Sequence, residues 1–583
     1  MSHLERKIKP NTWMCFRTWI APTGEARSML CDERHHKIAI LEGPSSLLWS
    51  IIESECTWRD LKKKAIELDV EEELEDFIES LSEQEFIDTD NYLKYQEAMA
   101  KPAPKPRLLE DADNTMVEQE TMEWVAKNGF LFSAHWEITY RCNERCVHCY
   151  NPGAAHTPHE KPERETNELD LPEAISLLDD LKEAGVFRLV LSGGEVLLKK
   201  DIWEIFEAAK ARGFSLNIYT NGLKLDQVAC NRLAKIWPSS VSISIYSADA
   251  NTHDSITNVP GSFDRSVNAL TTLNNLGIKT FLKSTQMAHT MGGYQKVHDL
   301  ALSIGAGPEI DMHMSASVDG ASAPIALAAK SPEELVVLAA TNGSPLFVGN
   351  AENNWGHISK DPNATVCGAA VGSMGIDPTG GINTCNSMPL PAGSHREHGF
   401  INIWKASRQY RKAHTSYEPQ QKSIEEAASL LSQWQGITLK DFHECGTHRR
   451  CGWCTKCPGL AMLEHGDPLA PSSTNCRLAT ARMTAADLLA QGITRENIAI
   501  RLGVPLDFGK RASLNLPMVI EEKRGTGFNP STIAKEVLGC GVKSPFNKSS
   551  FTNQKGLPVL HDGSDETVKA LSSFEGILER ATR

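Results

Sequence analysis

Apolar positions recur along this chain with two periods, and the places where one gives way to the other divide it into regions. From Trp13 to Asp90 three short runs, WMCFRTWI, EARSMLCDE and HHKIAILEG, read as strands. Three runs with helical spacing follow them: PSSLLWSIIESE, TWRDLKKKAIEL and EEELEDFIESLSEQEF. This order predicts a small winged-helix-like domain over residues 1–95. Next comes AMAKPAPKPRLLEDADN, which mixes prolines and charges without an amphipathic period, so residues 96–130 are expected to be a linker.

Between Phe132 and Val318 strand and helix patterns alternate six times. The strands are HWEITY, FRLVLSG, SLNIYTNG, SVSISIYS, KTFLKSTQM and EIDMHMSAS, separated by helical runs such as PEAISLLDDLKEAG and GSFDRSVNALTTLNNLG. Such alternation predicts an α/β region with a parallel sheet and crossover helices over 131–320. Six units fall short of an eight-fold barrel, which leaves a partial barrel or a doubly wound sheet, with its site at the C-terminal strand ends. Residues 321–480 hold an irregular cysteine-rich stretch, from Asp361 to Cys476. The tail, 481–583, contains helix-like TAADLLAQG and TRENIAIRLG and suggests no function.

Composition narrows the function. At 583 residues the chain exceeds one ordinary core, and 41% hydrophobic with 23% charged residues is the balance of a soluble globular protein. A formal charge of -14 argues against a nucleic-acid partner, since neutralising phosphates takes clustered Lys and Arg. The sequence shows neither an apolar run of membrane-spanning length nor the apolar core of a signal peptide, so a cytoplasmic protein without a membrane partner is expected. Of 15 cysteines, ten fall in two clusters with ligand-like spacing, and in a reducing compartment such clusters bind metal. Cys15, Cys31, Cys56, Cys230 and Cys540 stand singly, and Cys230 lies on a helical pattern that reads as a buried thiol.

The first cluster lies in HWEITYRCNERCVHCYNPG, where a strand runs into Cys142, Cys146 and Cys149 with three and then two residues between them. Three thiolates are one short of a closed tetrahedral site and suit a cubane with one open iron; a zinc knuckle completed by His148 is the competing reading. The spacing, with the aromatic His148 before the last cysteine, resembles the C-x3-C-x2-C signature of the radical S-adenosylmethionine (SAM) superfamily. That resemblance extends over the six-unit region. LVLSGGEVLL supplies Gly193, Gly194 and Glu195 where the family has Gly-Gly-Glu: the glycines would let the backbone approach the ligand, and the carboxylate would accept from the methionyl ammonium. Thr220, in Thr220-Asn221-Gly222, and Ser244 stand where relatives contact the cosubstrate, although an ordinary turn and a strand serine would look the same. The resemblance implies a [4Fe-4S] cluster whose open iron is chelated by S-adenosylmethionine, and reductive cleavage to a 5'-deoxyadenosyl radical. It assigns no catalytic side chain.

The second cluster comprises Cys367, Cys385, Cys445, Cys451, Cys454, Cys457 and Cys476. CGAAVGSMGIDPTGGINTC, with Gly380 five residues before Cys385, and the later FINIWKASRQYRK resemble the SPASM extension of radical enzymes acting on peptides and proteins. That resemblance implies two auxiliary [4Fe-4S] clusters, one lacking a single protein ligand. The family pattern C-x2-C-x5-C-x3-C is not kept, because Phe442 occupies its first position. The division implied is Cys367, Cys385 and Cys457 for the nearer cluster and Cys445, Cys451, Cys454 and Cys476 for the farther, with His443 or His448 available to complete a site. A zinc held by Cys445, Cys451, Cys454 and Cys457 is the alternative.

Residues 1–95 resemble the peptide chaperone of pyrroloquinoline quinone biosynthesis and related elements that hold leader peptides. The likeness rests on strand-helix order and on HKIAILEGPSSLLWSII. An exposed third strand would bind an extended peptide by strand addition. Together these readings describe a radical SAM enzyme that modifies a ribosomally made precursor peptide, forming a thioether or another crosslink. Its expected partners are that peptide and an electron donor such as flavodoxin or ferredoxin. Maturation of a folded protein partner, and a non-catalytic iron-sulfur peptide chaperone or electron relay, are the alternatives.

Overall fold

The computed structural model describes residues 5, 7–88, 112–154, 167–317, 324, 327, 328, 331–340, 361–419, 421–443, 445 and 448–504. In the N-terminal part, β1 (Lys7–Pro10) lies between β5 (Cys56–Thr57) and β6 (Ile87–Asp88), while β2 (Met14–Ile20), β3 (Ala26–Asp32) and β4 (Lys37–Glu42) form an antiparallel meander in that order. Helices Gly43–Ile52, Trp58–Glu67 and Leu74–Glu83 follow the meander. The second starts at a capping box in which Thr57 and Asp60 satisfy each other's backbone N–H. The three strands and three helices stand where the periodicity puts them; β1, β5 and β6 are too short to show a period.

This N-terminal unit is docked on the rest of the chain. Phe16 N donates to Gly213 O at 2.8 Å, Arg17 Nε to Val186 O at 2.8 Å and Trp19 Nε1 to Gly185 O at 2.7 Å. Gly213 is held without a side chain, because a Cβ there would lie 2.6 Å from the Phe16 ring. The expected linker, 96–130, is therefore corrected over its second part: Ala112–Lys127 is a helix. Val125 of that helix is buried in a cluster with Cys15, Trp19, Met29, Cys31, Phe132 and Phe187. Its period was masked because only a narrow stripe is buried, with charges on both sides of it. Residues 96–111 lie outside the described residues.

The main sheet has nine strands. β7 (Ser133–Thr139), β8 (Arg188–Gly193), β9 (Ser215–Thr220), β10 (Ser240–Ser244), β11 (Thr280–Thr285) and β12 (Gly307–Asp311) are parallel neighbours in chain order. A doubly wound sheet needs a reversal of strand order, which these six strands lack. On β7 Ala134, Trp136 and Ile138 join the main core, together with Leu189, Leu191, Leu216, Ile218, Val241 and Ile243 of the next strands and helix residues such as Leu178, Phe206 and Leu270. The alternate residues, His135, Glu137, Ser192, Asn217, Tyr219, Ser242 and Lys283 among them, form a polar face.

Beyond β7 the sheet continues into the cysteine-rich region. β13 (Ser373–Ile376) pairs parallel with β7, with Met374 opposite Ala134, and β14 (Gly381–Cys385) and β15 (Met388–Ser394) add antiparallel. The expected boundary at 320/321 thus does not divide the sheet. Nor does 480/481 divide the helices: Ser473–Ala490 crosses it, capped by Ser472 and packed on Pro332–Ala339, and Arg495–Leu502 follows. The helix-like readings TAADLLAQG and TRENIAIRLG fall on these two helices, while residues 505–583 lie outside the described residues.

Candidate active site

Cys142, Cys146 and Cys149 follow directly on β7, at the C-terminal end of the sheet. Their loop has little regular structure and is held from outside: Arg145 N donates to Thr257 O at 2.9 Å, Val147 N to Ile256 O at 3.0 Å, and Asn151 Nδ2 to Gly193 O at 2.9 Å. Within it, Glu144 N donates to Cys142 Sγ at 3.4 Å and Cys146 Sγ to Glu144 Oε2 at 3.2 Å. Burial pushes the Cys142 thiol up to about 12, with Glu195, Glu144 and Cys149 adding to the rise. Cys146 is pushed up by burial and then by Glu144, Cys142 and Cys149. Three partly buried thiols that repel as thiolates fit a polynuclear cationic centre, which would offset that cost. No three His, Cys, Asp or Glu side chains among the described residues are gathered to hold a single metal ion; in a four-iron cluster each thiolate takes its own iron.

The Gly-Gly-Glu segment packs backbone to backbone on this loop. Gly194 N donates to Thr139 O at 2.6 Å and Glu195 N to Arg141 O at 2.9 Å; a Cβ on Gly194 would lie 2.3 Å from Arg141 O, and one on Gly193, at φ +137°, 2.1 Å from Thr139 O. The glycines therefore admit the cysteine loop. Glu195 follows directly on these glycines. It is fully buried, and its oxygens accept from Thr220 Oγ1 at 2.8 and 2.9 Å, Asn221 N at 2.8 Å and Leu197 N at 3.0 Å. With those partners the carboxylate points at the Thr220-Asn221-Gly222 turn. Asn221 carries the link onward, its Nδ2 donating to Asn143 Oδ1 at 2.8 Å and lying 3.9 Å from Cys142 Sγ.

His148 stands edge-on to Tyr246 at 4.3 Å between ring centroids, and Tyr246 stacks on His253 at 5.7 Å. His253 Nδ1 accepts from Tyr246 N at 3.1 Å, and burial brings this histidine down to about 4. Ser244, half-buried at the end of β10, hydrogen-bonds the Tyr246 hydroxyl. These groups wall one side of the cysteine loop.

The seven downstream thiols form two groups. Cys367 is raised to about 12 by burial and then by Cys385 and Cys457, which makes these three mutual neighbours. Cys454 is raised to about 12 by burial and then by Cys476, Cys445 and Cys451, and these four line one cavity together with Cys457, Arg450 and Lys456. The Lys456 ammonium sits 3.3 Å above the ring of Phe442 and acts electrostatically on both groups. His443 and His448 are exposed, and His443 pairs with Asp467 at 3.3 Å.

Glu137, a carboxylate on β7, escapes a reading based on motifs. It is 5% exposed and accepts from Tyr140 Oη at 3.0 Å and Tyr150 Oη at 3.2 Å, with Asn386 as a further hydrogen-bond partner. Burial pushes it up to about 7 against the lowering effect of those bonds. Its signal in the sequence is the alternation within HWEIT, which puts a charged residue on the polar face of an otherwise buried strand.

Residues 136–300 match the family model described as Radical SAM superfamily. An AdoMet-dependent heme synthase of Methanosarcina barkeri is 25% identical over 296 residues, covering 48% of this chain and 83% of that protein. Mycofactocin maturase MftC of Mycolicibacterium smegmatis is 27% identical over 290 residues, covering 48% of this chain and 71% of that protein. Among solved structures, Streptococcus suis SuiB bound to the precursor peptide SuiA aligns with a TM-score of 0.45 and 13% identity, over 80% of this chain and 99% of that one. Among the described residues no helix is long and apolar enough to cross a membrane. Residues 136–300 are a radical SAM domain, and the chain is an enzyme that works with a [4Fe-4S] cluster and S-adenosylmethionine.

Proposed function

We propose that this enzyme modifies a ribosomally made precursor peptide, with Cys142, Cys146 and Cys149 holding the radical SAM cluster. When bound, that cluster supplies one-electron cleavage of S-adenosylmethionine and thereby hydrogen-atom abstraction from an unactivated carbon. Gly193, Gly194, Glu195, Thr220, Ser244 and His148 shape the cosubstrate's surroundings. Glu195 and Thr220 act by fixing the turn that carries Asn221, and Ser244 and His148 by fixing Tyr246. Cys367, Cys385 and Cys457 on one side, and Cys445, Cys451, Cys454 and Cys476 on the other, would each hold an auxiliary [4Fe-4S] cluster. A thioether is the first product to test for, with a carbon-carbon crosslink second.

The observation that carries the peptide reading is β4. It is an edge strand, paired with β3 on one side only among the described residues, and Ile38, Ala39, Ile40 and Leu41 are all half-buried. A strand edge with apolar neighbours accepts an extended peptide by main-chain pairing. The relative named a maturase supports the reading, and the relatives named heme synthases favour a second one with a tetrapyrrole substrate. Anaerobic reconstitution with the peptide of a short reading frame beside the gene, followed by mass spectrometry, tests the first. A mass loss of two hydrogens on that peptide, with 5'-deoxyadenosine formed, is expected. Unmodified peptide beside a converted porphyrin would replace it with the second.

A further inference from the structure

The polar face of the main sheet carries a cation, Lys283 of β11. In the register its neighbours are Ser244 at the end of β10 and Glu309 of β12. Its ammonium donates to Glu309 Oε2 at 3.1 Å and stands 4.2 Å over the ring of Tyr219 on β9. Tyr219 pairs with Ser242, and Ser242 with Phe281, two residues before Lys283. The lysine chain therefore crosses β10 over a serine and turns back from the strand ends. His135 of β7 stands edge-on to the same ring at 5.8 Å and hydrogen-bonds Ser192 of β8. From this face β7 runs straight into the cysteine loop, so a molecule held at Lys283 lies along the sheet that carries the candidate site.

The Lys283–Glu309 pair sits at the rim of that face. Among the described residues β12 pairs with β11 alone, and the two side chains are 41% and 38% exposed. An ion pair so exposed is held weakly and exchanges readily. An ammonium has three donors, of which Glu309 takes one. Ser192, Asn217, Tyr219 and Ser242 can hydrogen-bond the amides and hydroxyls of a ligand, but neutralising an anion takes the ammonium. We propose that Lys283 is a specificity-determining residue that anchors a carboxylate of the substrate, and that Glu309 is the anion this carboxylate displaces. The new bond is charge-assisted, and it strengthens as the substrate excludes water from the face. For the source of the carboxylate the inference rests on the peptide reading above: an Asp or Glu side chain of the precursor's processed segment. A porphyrin would offer the same group on its propionates.

The test titrates anaerobic holoenzyme, with S-adenosylmethionine and without reductant, by calorimetry. The titrants are the processed segment of the neighbouring reading frame's peptide, freed of its leader, the same segment with Asn and Gln for Asp and Glu, and iron coproporphyrin. Lys283→Met should weaken binding of the acidic segment at least about tenfold, and Lys283→Arg should keep most of it. Glu309→Gln should act in the opposite direction, tightening the acidic segment by about threefold, because the competing anion is gone. Both variants should bind the amide segment within about twofold of the parent and keep parental iron content and S-adenosylmethionine affinity. A merely structural pair would lose affinity for both segments in both variants. That outcome overturns the proposal, as does a processed segment without carboxylates, parental affinity in Lys283→Met, or a loss of S-adenosylmethionine binding, which would give the ammonium to the cosubstrate. The same opposed pattern seen with the porphyrin, and no binding of the segment, replaces the maturase reading and leaves the role of Lys283 standing.

Discussion

The two ends of the parallel strands use polar groups in opposite ways. At the N-terminal ends Arg17 and Trp19 reach the carbonyls of Val186 and Gly185, in the turn that leads into β8, and the surrounding cluster of Trp19, Phe132, Phe187 and Val125 is closed to water. At the C-terminal ends Glu137, Glu144, Glu195 and three thiols are buried close together, and burial raises Glu137, Glu144, Glu195, Cys142 and Cys146 alike. One end spends polar groups on joining elements. Burial disfavours charge at both ends, bringing Arg17 down to about 10 and raising Cys15, but the C-terminal end concentrates carboxyls and thiols, groups that are at odds with stability unless something is bound there.

Trp19→Ala tests this contrast most severely. Removing a buried indole and its hydrogen bond should cost about 3–5 kcal/mol in denaturant unfolding, while iron content after reconstitution per folded protein stays at the parental level. Glu137→Gln should do the reverse. A carboxyl held at about 7 in the folded state and near 4.5 when unfolded loses stability as pH rises from 4.5 to 7. The variant should therefore gain on the parent by up to about 3 kcal/mol at pH 8, less the cost of its altered bonds to Tyr140 and Tyr150, and the gain should vanish toward pH 4.

Glu195→Gln should cost roughly 1–3 kcal/mol, because the Asn221 and Leu197 amides and the Thr220 hydroxyl compete for one remaining acceptor. It should also weaken S-adenosylmethionine binding in calorimetry by way of the displaced turn. Last comes replacement of Cys142, Cys146 and Cys149 together by Ala. It should change the stability of the cluster-free protein by less than about 1 kcal/mol, yet remove about one of three clusters by iron and sulfide analysis and abolish 5'-deoxyadenosine formation. Loss of all iron would show that the downstream thiols do not bind independently.

The strands from β7 to β12 were legible because each alternates or runs apolar between Gly, Asp and Asn punctuation, and the cysteine loop because its spacing is local. The proximity of Cys367 to Cys457, ninety residues apart in sequence, could not be derived from spacing alone. What stayed hidden depends on tertiary partners. Helix Ala112–Lys127 buries too narrow a stripe to show a period. The joining of β13 to β7 depends on a pairing between segments more than two hundred residues apart. Two of the three donors that saturate Glu195, the Thr220 hydroxyl and the Asn221 amide, come from a turn whose proximity only the fold creates.

The position of β4 sets a ruler. The meander it belongs to is docked at the N-terminal ends of the strands, whereas the cysteine loop lies past their C-terminal ends. A chain anchored on β4 and processed beside Cys142 must therefore climb at least the height of a six-residue strand, on the order of 20 Å. An extended peptide needs about six residues for that climb and more to turn the corners. Shortening the spacer between the anchored and the processed segments of a precursor should thus leave its affinity intact and stop its modification abruptly, at a length fixed by the sheet and not by the sequence of the spacer.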